Sequence, residues 1–178
     1  MAAVTRADAL PEVDHIVHRP VDAEPGWWTW TLAEPDRFNH AIEPLAIRYA
    51  TAPGEPGLVR MLPGRAQSNL SDTLHGGATL TLIDIALFAG SRACGVDLGD
   101  RPVTLDLNCQ FVGAGRLGEP TYAEVEVVRE TGRLVFARGV VVQGDRSDPA
   151  ARHIVASFTG MVRKGRPVPK GGTGAATD

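Results

Sequence analysis

The residues best suited to chemistry lie between Asn69 and Asp84. In this stretch His75, Gly76 and Gly77 are adjacent, and the carboxylate of Asp84 follows within a strongly apolar run. The two glycines predict backbone amides that a ligand oxygen can approach closely, because no side chain stands in the way. If a helix begins at this point, the partial positive charge of its first turn suits an oxyanion that develops during a reaction.

Asp84 has two open interpretations. A buried carboxylate without a partner is costly, so its position among apolar neighbours requires a reason. One reason is structural, since an aspartate can be hydrogen-bonded inside a core. The other is catalytic, because a carboxylate in an apolar cleft is suited to act as a general base or a nucleophile. The isolated residue leaves both interpretations open.

A helix is predicted to carry Asp84. The residues from Gly76 to Cys94 include no proline, and apolar side chains occur almost all round the helix, which is typical of a buried one. Eight residues separate Gly76 from Asp84, which corresponds to about 12 Å of helix rise. A reacting carbonyl must lie within about 3 Å of both the oxyanion donors and the attacking group or its water. Two antiparallel copies of the helix across a two-fold axis would meet this condition, which predicts a homodimer with a shared site.

Both ends of the chain predict accessory segments. Residues 1–40 contain scattered prolines that interrupt any long element, which indicates an N-terminal extension rather than a second domain. Within it Trp27, Trp28 and Trp30 are expected to pack against the domain or a neighbouring subunit. Residues 165–178 are rich in proline and glycine and have no apolar face, which predicts a disordered tail.

Residues 41–164 are predicted to form one α+β domain. A short helix is expected over residues 36–42, at the start of this domain, with the side chains of Phe38 and Ile42 facing the core. Strand patterns occur at residues 45–50, 58–62, 103–111, 122–129, 134–143 and 154–162. The last four have short turn-like connections and predict an antiparallel meander of consecutive strands. One antiparallel sheet curled around the helix would cover most of it, and the uncovered parts favour pairing with a second copy.

The strand over residues 103–111 has the clearest pattern. Apolar and polar residues alternate strictly along it, which predicts a strand with one buried face. The apolar set is Val103, Leu105, Leu107, Cys109 and Phe111, and the polar set is Thr104, Asp106, Asn108 and Gln110.

Bulk properties exclude several classes of partner. The formal net charge of −3 gives no basis for nucleic-acid binding by bulk electrostatics. The longest apolar run, at residues 80–89, is too short to span a bilayer, so no membrane partner is expected. The first 15 residues contain no apolar segment typical of a signal peptide, and a cytoplasmic location is expected by default.

The cysteines and histidines predict neither a disulfide nor a metal site. Cys94 and Cys109 are interpreted as buried reduced thiols, since the sequence has no CxxC pair or Cys/His cluster. His15 and His18 are close in sequence, but no further metal ligand is nearby, and both are predicted to be solvated.

The glycines at residues 113–118 match GxGxxG, a pattern found in dinucleotide-binding loops. A dinucleotide site requires a helix directly after this loop, whereas Glu119, Pro120 and an alternating strand follow here. The segment is therefore interpreted as a hairpin loop, and no cofactor is expected. No Gly-x-Ser-x-Gly motif is present either, so a serine hydrolase is unsupported.

The stretch Asn69–Asp84 resembles the motif of the PaaI-type hotdog thioesterases, a branch of the thioesterase superfamily. It has an asparagine, then Leu-His-Gly-Gly, then an acid nine residues after His75. The strand Val103–Asn108 and the run Arg116–Arg133 are similar to the family as well. The resemblance covers roughly residues 43–163, and its motif is specific for the family but not for a substrate.

This resemblance implies a fold, an assembly and an activity. The fold is the hotdog fold, in which an antiparallel sheet wraps around one long buried central helix. The assembly is a homodimer, or a tetramer built from two dimers. The activity is hydrolysis of the thioester of a small, medium-chain or aromatic acyl-CoA, without a cofactor or a metal ion.

The resemblance also implies roles for individual residues. Asp84 acts as general base or nucleophile, and the Gly76 amide polarises the thioester carbonyl, with Gly77 beside it in the substrate-binding site. Asn69 positions the thioester or the attacking water, and His75 orients the loop.

Two further positions relate to the family pattern. Thr104 falls where the family often has a serine or threonine that helps to hold the water, although a threonine is also simply a good strand former. Asp72 stands where many relatives have glycine. Arginines near the strand ends could meet the phosphates of CoA, although each is more simply a solvated charge; they are Arg129, Arg133, Arg138 and Arg163.

Two other functions remain as alternatives. The same fold could serve as a non-catalytic acyl-CoA-binding module, although the presence of both Asp84 and Asn69 favours an enzyme. A hotdog dehydratase or hydratase would require an Asp/His or His/Glu pair in a different arrangement, which the sequence does not contain.

Overall fold

The computed structural model describes residues 15–167 of the chain. One long helix, α1 (Gly76–Ala93), is accompanied by short 3-10 helices at Phe38–Ile42 and Arg65–Gln67. The strands are β1 (Ile16–Val17), β2 (Trp27–Thr29), β3 (Thr31–Leu32), β4 (Leu45–Arg48), β5 (Gly57–Met61), β6 (Val103–Phe111), β7 (Thr121–Glu130), β8 (Leu134–Gln143) and β9 (His153–Arg163).

Seven strands form one antiparallel sheet in the order β2-β4-β5-β7-β8-β9-β6, and β1 pairs separately with β3. Helix α1 lies against this sheet, and the residues between them form the hydrophobic core. The predicted α+β architecture and the hotdog fold are confirmed.

The predicted meander of four consecutive strands is wrong at its first member. Strand β6 pairs with β9, not with β7, and so occupies the sheet edge. The connection over residues 112–120 passes the start of α1, where the Gly115 carbonyl accepts a hydrogen bond from the Leu74 amide at 2.8 Å. This path delivers β7 beside β5. The residue alternation specifies which face of a strand is apolar, but it does not specify the neighbouring strand.

Helix α1 approaches the sheet very closely near its C-terminal end. A Cβ atom added to Gly90 would lie 2.3 Å from the Val125 side chain on β7, and one added to Gly57 would lie 2.3 Å from the Gly90 carbonyl. No side chain fits at such distances, so these two glycines allow the backbones to pack directly. The close contact fixes the depth at which the helix sits in the curved sheet.

One stripe of α1 is open, whereas most of the helix is buried, as predicted. Gly77, Thr81, Asp84 and Phe88 recur at intervals of three or four residues and are each at least partly exposed. This spacing places them on a single face of the helix. The opposite faces are fully packed, with Leu82, Ile83, Ala86, Leu87 and Ala89 completely buried. The packed faces of the helix are therefore opposite the stripe that contains Asp84, and Leu80 near its start is also exposed.

The tryptophans of the N-terminal region pack against the domain, as predicted. Trp30 is only 8% exposed and belongs to the core, and Trp28 packs against it. Strand β2 pairs with β4 and adds an edge strand to the main sheet. Part of the segment predicted to be an extension is thus built into the sheet.

Two predictions about this region are wrong. Phe38 is 73% exposed, whereas Ile42 on the same short helix is 3% exposed, since a single turn has only one face against the core. His18 is not a solvated residue. Its ring stacks on Trp28 at 5.0 Å between centroids, its Nδ1 bonds to the Thr29 carbonyl at 2.9 Å, and its Nε2 bonds to the Tyr49 hydroxyl at 3.0 Å.

The C-terminal end of the described chain is hydrogen-bonded beyond β9. The Gly165 amide donates to the Leu98 carbonyl at 2.8 Å, and Arg166 and Asp100 exchange backbone hydrogen bonds. These residues begin the segment that was predicted to be a disordered tail, so ordered structure reaches Arg166. The rest of that predicted tail, from residue 168, lies outside the described residues, as do residues 1–14.

Candidate active site

A bulge in β6 brings Thr104 to Asp84. The register with β9 shifts between Thr104 and Asp106, which leaves Leu105 as an extra residue. A bulge of this kind changes which face the flanking residues point to. Thr104 therefore faces α1, as Leu107 does beyond the bulge, and the strict alternation predicted for this strand fails at its start. The Thr104 hydroxyl donates a hydrogen bond of 2.7 Å to Oδ1 of Asp84.

Asp84 is half-buried and lines a cavity beside the helix. The cavity has a volume of about 240 Å³ and extends from Asp84 past Phe88 to Arg92. Because Thr104 uses Oδ1 of the carboxylate, Oδ2 is the oxygen that can accept a proton from a water or a ligand. The arrangement joins an oriented carboxylate to a space with largely apolar walls.

The start of α1 is capped by His75. Its Nδ1 accepts a hydrogen bond from the Gly77 amide at 2.8 Å, while its own amide donates to the Gln67 carbonyl at 2.8 Å. Since the imidazole engages the Gly77 amide, the neighbouring Gly76 amide stays available to a ligand at the helix start.

Asn69 holds its own loop together. Its Nδ2 donates to the Thr73 hydroxyl at 2.8 Å, and its Oδ1 accepts from the amides of Ser71 at 2.9 Å and Thr73 at 3.2 Å. These bonds fix the loop that leads to His75. The structure therefore gives Asn69 a clear part in shaping the approach to the helix.

The backbone conformation at Asp72 is one that glycine adopts readily. Its φ angle is 55°, in the left-handed region that glycine adopts without steric cost. Aspartate is among the few other residues that tolerate this conformation. Here the Asp72 carboxylate also forms an ion pair with Arg65. The loop thus keeps the backbone conformation that a glycine would take.

The predicted site residues fall into two groups within one chain. Asp84 and Thr104 are in direct contact. Asn69, His75, Gly76 and Gly77 are grouped at the helix start. Eight residues of α1, or about 12 Å, separate the two groups along the axis. A single carbonyl cannot lie within hydrogen-bonding distance of both groups of one chain.

Comparisons with known proteins find a similar family and similar folds. Residues 72–150 match the model of the thioesterase superfamily. This region of the chain is therefore similar to the thioesterase superfamily, and the rest of the chain lies outside the match. The match includes α1, β6, Asp84 and Thr104. A search of curated protein sequences finds no match.

Solved structures that are similar to this chain have the same fold. A mutant of the phenylacetic acid degradation protein PaaI from Thermus thermophilus is 25% identical, with a TM-score of 0.54, over 71% of this chain and 97% of that one. A hypothetical thioesterase from Streptococcus pneumoniae, solved with coenzyme A, is 18% identical, with a TM-score of 0.56, over 71% and 89%. Thioesterase superfamily member 2 from mouse is 19% identical, with a TM-score of 0.53, over 68% and 82%.

The cavity beside Asp84 is also lined by residues that the sequence analysis missed. Arg92 lies on α1 eight residues after Asp84, and it could have been found because that spacing keeps both residues on one helix face. Ile16, Trp30 and Asn39 also line the Asp84 cavity. They precede the matched region, and no spacing relates them to Asp84, so only the tertiary structure identifies them.

Two negative findings concern the described part of the chain. Within residues 15–167, no cluster of three or more His, Cys, Asp or Glu side chains is placed to hold a metal ion. No helix in this range is long and apolar enough to cross a membrane.

Neither cysteine forms a disulfide, and both are half-buried rather than fully buried as predicted. Burial raises the pKa of the Cys109 thiol, which keeps it protonated at neutral pH.

Proposed function

We propose that this chain hydrolyses the thioester of an acyl-CoA whose acyl group is small, medium-chain or aromatic. The observation that carries the proposal is the Asp84 carboxylate, which is oriented by Thr104 on the one open stripe of a buried helix and faces a cavity. A carboxylate in such surroundings is costly for folding and suited to catalysis. Similarity to the thioesterase superfamily and the coenzyme A in the streptococcal structure support this choice of substrate.

In the proposed reaction Asp84 acts as a general base. Oδ2 of Asp84 takes a proton from a water, whose oxygen forms a bond to the thioester carbon. The carbonyl oxygen becomes an oxyanion that the Gly76 amide stabilises. When the tetrahedral intermediate collapses, the C–S bond breaks, the acid is released, and the proton on Asp84 passes to the CoA thiolate. Direct attack by Asp84, with an acyl-enzyme anhydride as intermediate, would use the same residues.

The other residues position these groups. Thr104 holds the carboxylate of Asp84 in the orientation that presents Oδ2. His75 caps the helix and leaves the Gly76 amide for the substrate, with Gly77 close enough for van der Waals contact. Asn69 stabilises the loop before His75. The proposal gives it this structural role and no direct contact with the thioester or the attacking water.

The proposed site is shared by two subunits of a homodimer. The open stripe of α1 lies beside the edge strand β6, whose Val103, Leu105 and Phe111 are exposed in the single chain. A two-fold contact along this surface would cover the apolar side chains and the free strand edge. It would also bring Gly76 of the partner subunit towards Asp84. A tetramer would be formed from two such dimers.

The proposal is tested with Asp84→Asn in a thiol-release assay on short-chain, long-chain and phenylacyl CoA esters. The variant should keep the fold and the oligomer and lose a factor of about 100 or more in kcat, because the base is removed. Asp106→Asn is the matched control, since Asp106 lies on the outward face of β6, close in sequence to Thr104. It should retain the wild-type rate. An Asp84→Asn variant with a near wild-type rate would refute the assignment.

A non-catalytic acyl-CoA-binding module is the second candidate function. It is favoured by one observation, namely that the Asn69 side chain is engaged within its own loop. Asn69 therefore no longer counts as evidence for an enzyme, and the catalytic proposal depends on Asp84 and Thr104. Tight binding of acyl-CoA esters by the wild-type protein without any thiol release would establish the binding module instead.

A further inference from the structure

The cavity beside Asp84 has walls from two distant parts of the chain. Helix α1 forms one wall, from Asp84 to Arg92. The other lining residues include Ile16, Trp30 and Asn39. These three side chains belong to residues 15–42, here called the N-terminal segment. The segment precedes residues 72–150, the part that matches the family model.

The N-terminal segment is firmly attached to the domain. Strand β1 pairs with β3, with Ile16 opposite Leu32, and the Trp30 amide donates to the Leu45 carbonyl at 2.9 Å. The ring of His18 lies edge-on to Trp30 at 6.0 Å between centroids and bonds through Nε2 to the Tyr49 hydroxyl. The wall formed by Ile16 and Trp30 is thus a built part of the structure.

The dimensions of the cavity limit the group that can occupy it. From Asp84 to Arg92 the helix advances eight residues, or about 12 Å. The volume is about 240 Å³. An apolar protein cavity of about 150 Å³ holds one benzene molecule. The space next to Asp84 therefore fits a single ring with a short arm or a chain of comparable volume, and a longer acyl chain would extend beyond it.

We infer that the N-terminal segment determines the acyl selectivity of the site, with Ile16 and Trp30 closing the cavity against long acyl groups. The inference deepens the proposed function and rests on it, because it places the thioester carbon at Asp84 and the acyl group along α1 towards Arg92. Added methylene groups would meet the Ile16 and Trp30 side chains. In hydrophobic pockets one methylene changes kcat/KM by roughly 10- to 200-fold, so a small change in this wall has a measurable effect.

The test varies the size of the residue at position 16 in the full chain. Ile16→Ala enlarges the cavity and should raise the ratio of kcat/KM for long over short straight-chain acyl-CoA esters by about tenfold or more. Ile16→Phe reduces the cavity and should lower the same ratio. Val17→Ala is the matched control, because Val17 is the next residue of β1, is also half-buried and does not line the cavity. It should leave the ratio unchanged.

Binding is measured in parallel, by calorimetry with thioether analogues of the same acyl-CoA series, which cannot be hydrolysed. Opposite shifts for the two Ile16 variants, in hydrolysis or in binding, support the inference. If hydrolysis or binding persists and the ratio stays constant, or if Val17→Ala shifts it equally, the inference is wrong. Shifted binding without hydrolysis in any protein would overturn the proposed function and leave the inference standing. Absence of both binding and hydrolysis would overturn both.

Discussion

The two halves of the candidate site are held in place in different ways. The helix-start half, residues 69–77, depends on short-range hydrogen bonds such as His75 to Gly77 and Asn69 to Thr73. The Asp84 half combines a helix, a bulged edge strand and the N-terminal segment, which are far apart in sequence. Local hydrogen bonds shape the proposed donor for the oxyanion, whereas tertiary packing orients the proposed base and bounds the cavity. Substitutions in the two halves should therefore fail in different ways.

The largest effect in the helix-start half is expected from Gly76→Pro. Proline at the first position of a helix is well tolerated, and it lacks the amide hydrogen. If the Gly76 amide stabilises the oxyanion, kcat should fall by about 100- to 1000-fold while the fold is retained. Gly76→Ala is the control, since it adds a Cβ near Phe111 but keeps the amide hydrogen. Steady-state kinetics and circular dichroism of both variants make the comparison, and equal losses in both would exclude the amide as the cause.

A smaller effect is expected from Thr104→Val in the Asp84 half. Valine keeps the shape of the side chain and removes the hydroxyl that orients Asp84. A hydrogen bond to a charged group is worth about 1.5–3 kcal/mol, so kcat should fall by roughly tenfold or more while KM changes little. Thr104→Ser should restore most of the rate. A change in KM alone, or no recovery with serine, would contradict a positioning role for the hydroxyl.

The smallest effect concerns the pH dependence of stability through His18. Burial lowers the pKa of His18, the nearby Arg92 lowers it further, and the hydrogen bond to Thr29 acts in the opposite direction. The folded state therefore favours the neutral ring. This contribution to stability is complete above the unfolded pKa of about 6.5, and it is lost as pH falls through the lower folded pKa.

His18→Gln should remove this part of the pH dependence, since glutamine retains hydrogen-bonding capacity without titrating in this range. Urea unfolding at several pH values between 7.5 and 5 measures the effect. His15→Gln is the control, because His15 is exposed. If the wild type and His18→Gln lose stability in parallel on acidification, then protonation of His18 does not weaken the attachment of the N-terminal segment.

The same contrast explains how much of the molecule the sequence predicted. Helix α1 and strand β6 were predicted with nearly correct bounds, because the hydrophobic period and the absence of proline are local properties. The cluster from His75 to Gly77 was recognised as a helix start for the same reason. The apolar neighbours of Asp84 left a structural and a catalytic interpretation open, and only the structure shows the cavity beside it.

The residue pattern alone does not predict the contacts of the Asp84 half, although the family resemblance named Thr104 as a site residue. Alternation placed Thr104 on the polar face of its strand, and only the bulge at Leu105 turns it to Asp84. The pairing of β6 with β9 depends on the path of a connecting loop, which no residue pattern encodes. The partners of His18 are Trp28 and Tyr49, which are distant in sequence and come from β2 and the end of β4. A local pattern does not reveal such contacts, and His18 was therefore interpreted as solvated.

The shared site is tested most directly by mixing two inactive variants, Asp84→Asn and Gly76→Pro. The two proteins are unfolded together and refolded, so that about half of the dimers contain one subunit of each kind. Each mixed dimer would carry one site with both defects and one intact site, formed by the unaltered Gly76 of one chain and Asp84 of the other. Thiol release should return to about a quarter of the wild-type rate. If subunits exchange, as shown by sedimentation of labelled proteins, and no activity returns, the site lies within one chain and the two-subunit site is wrong.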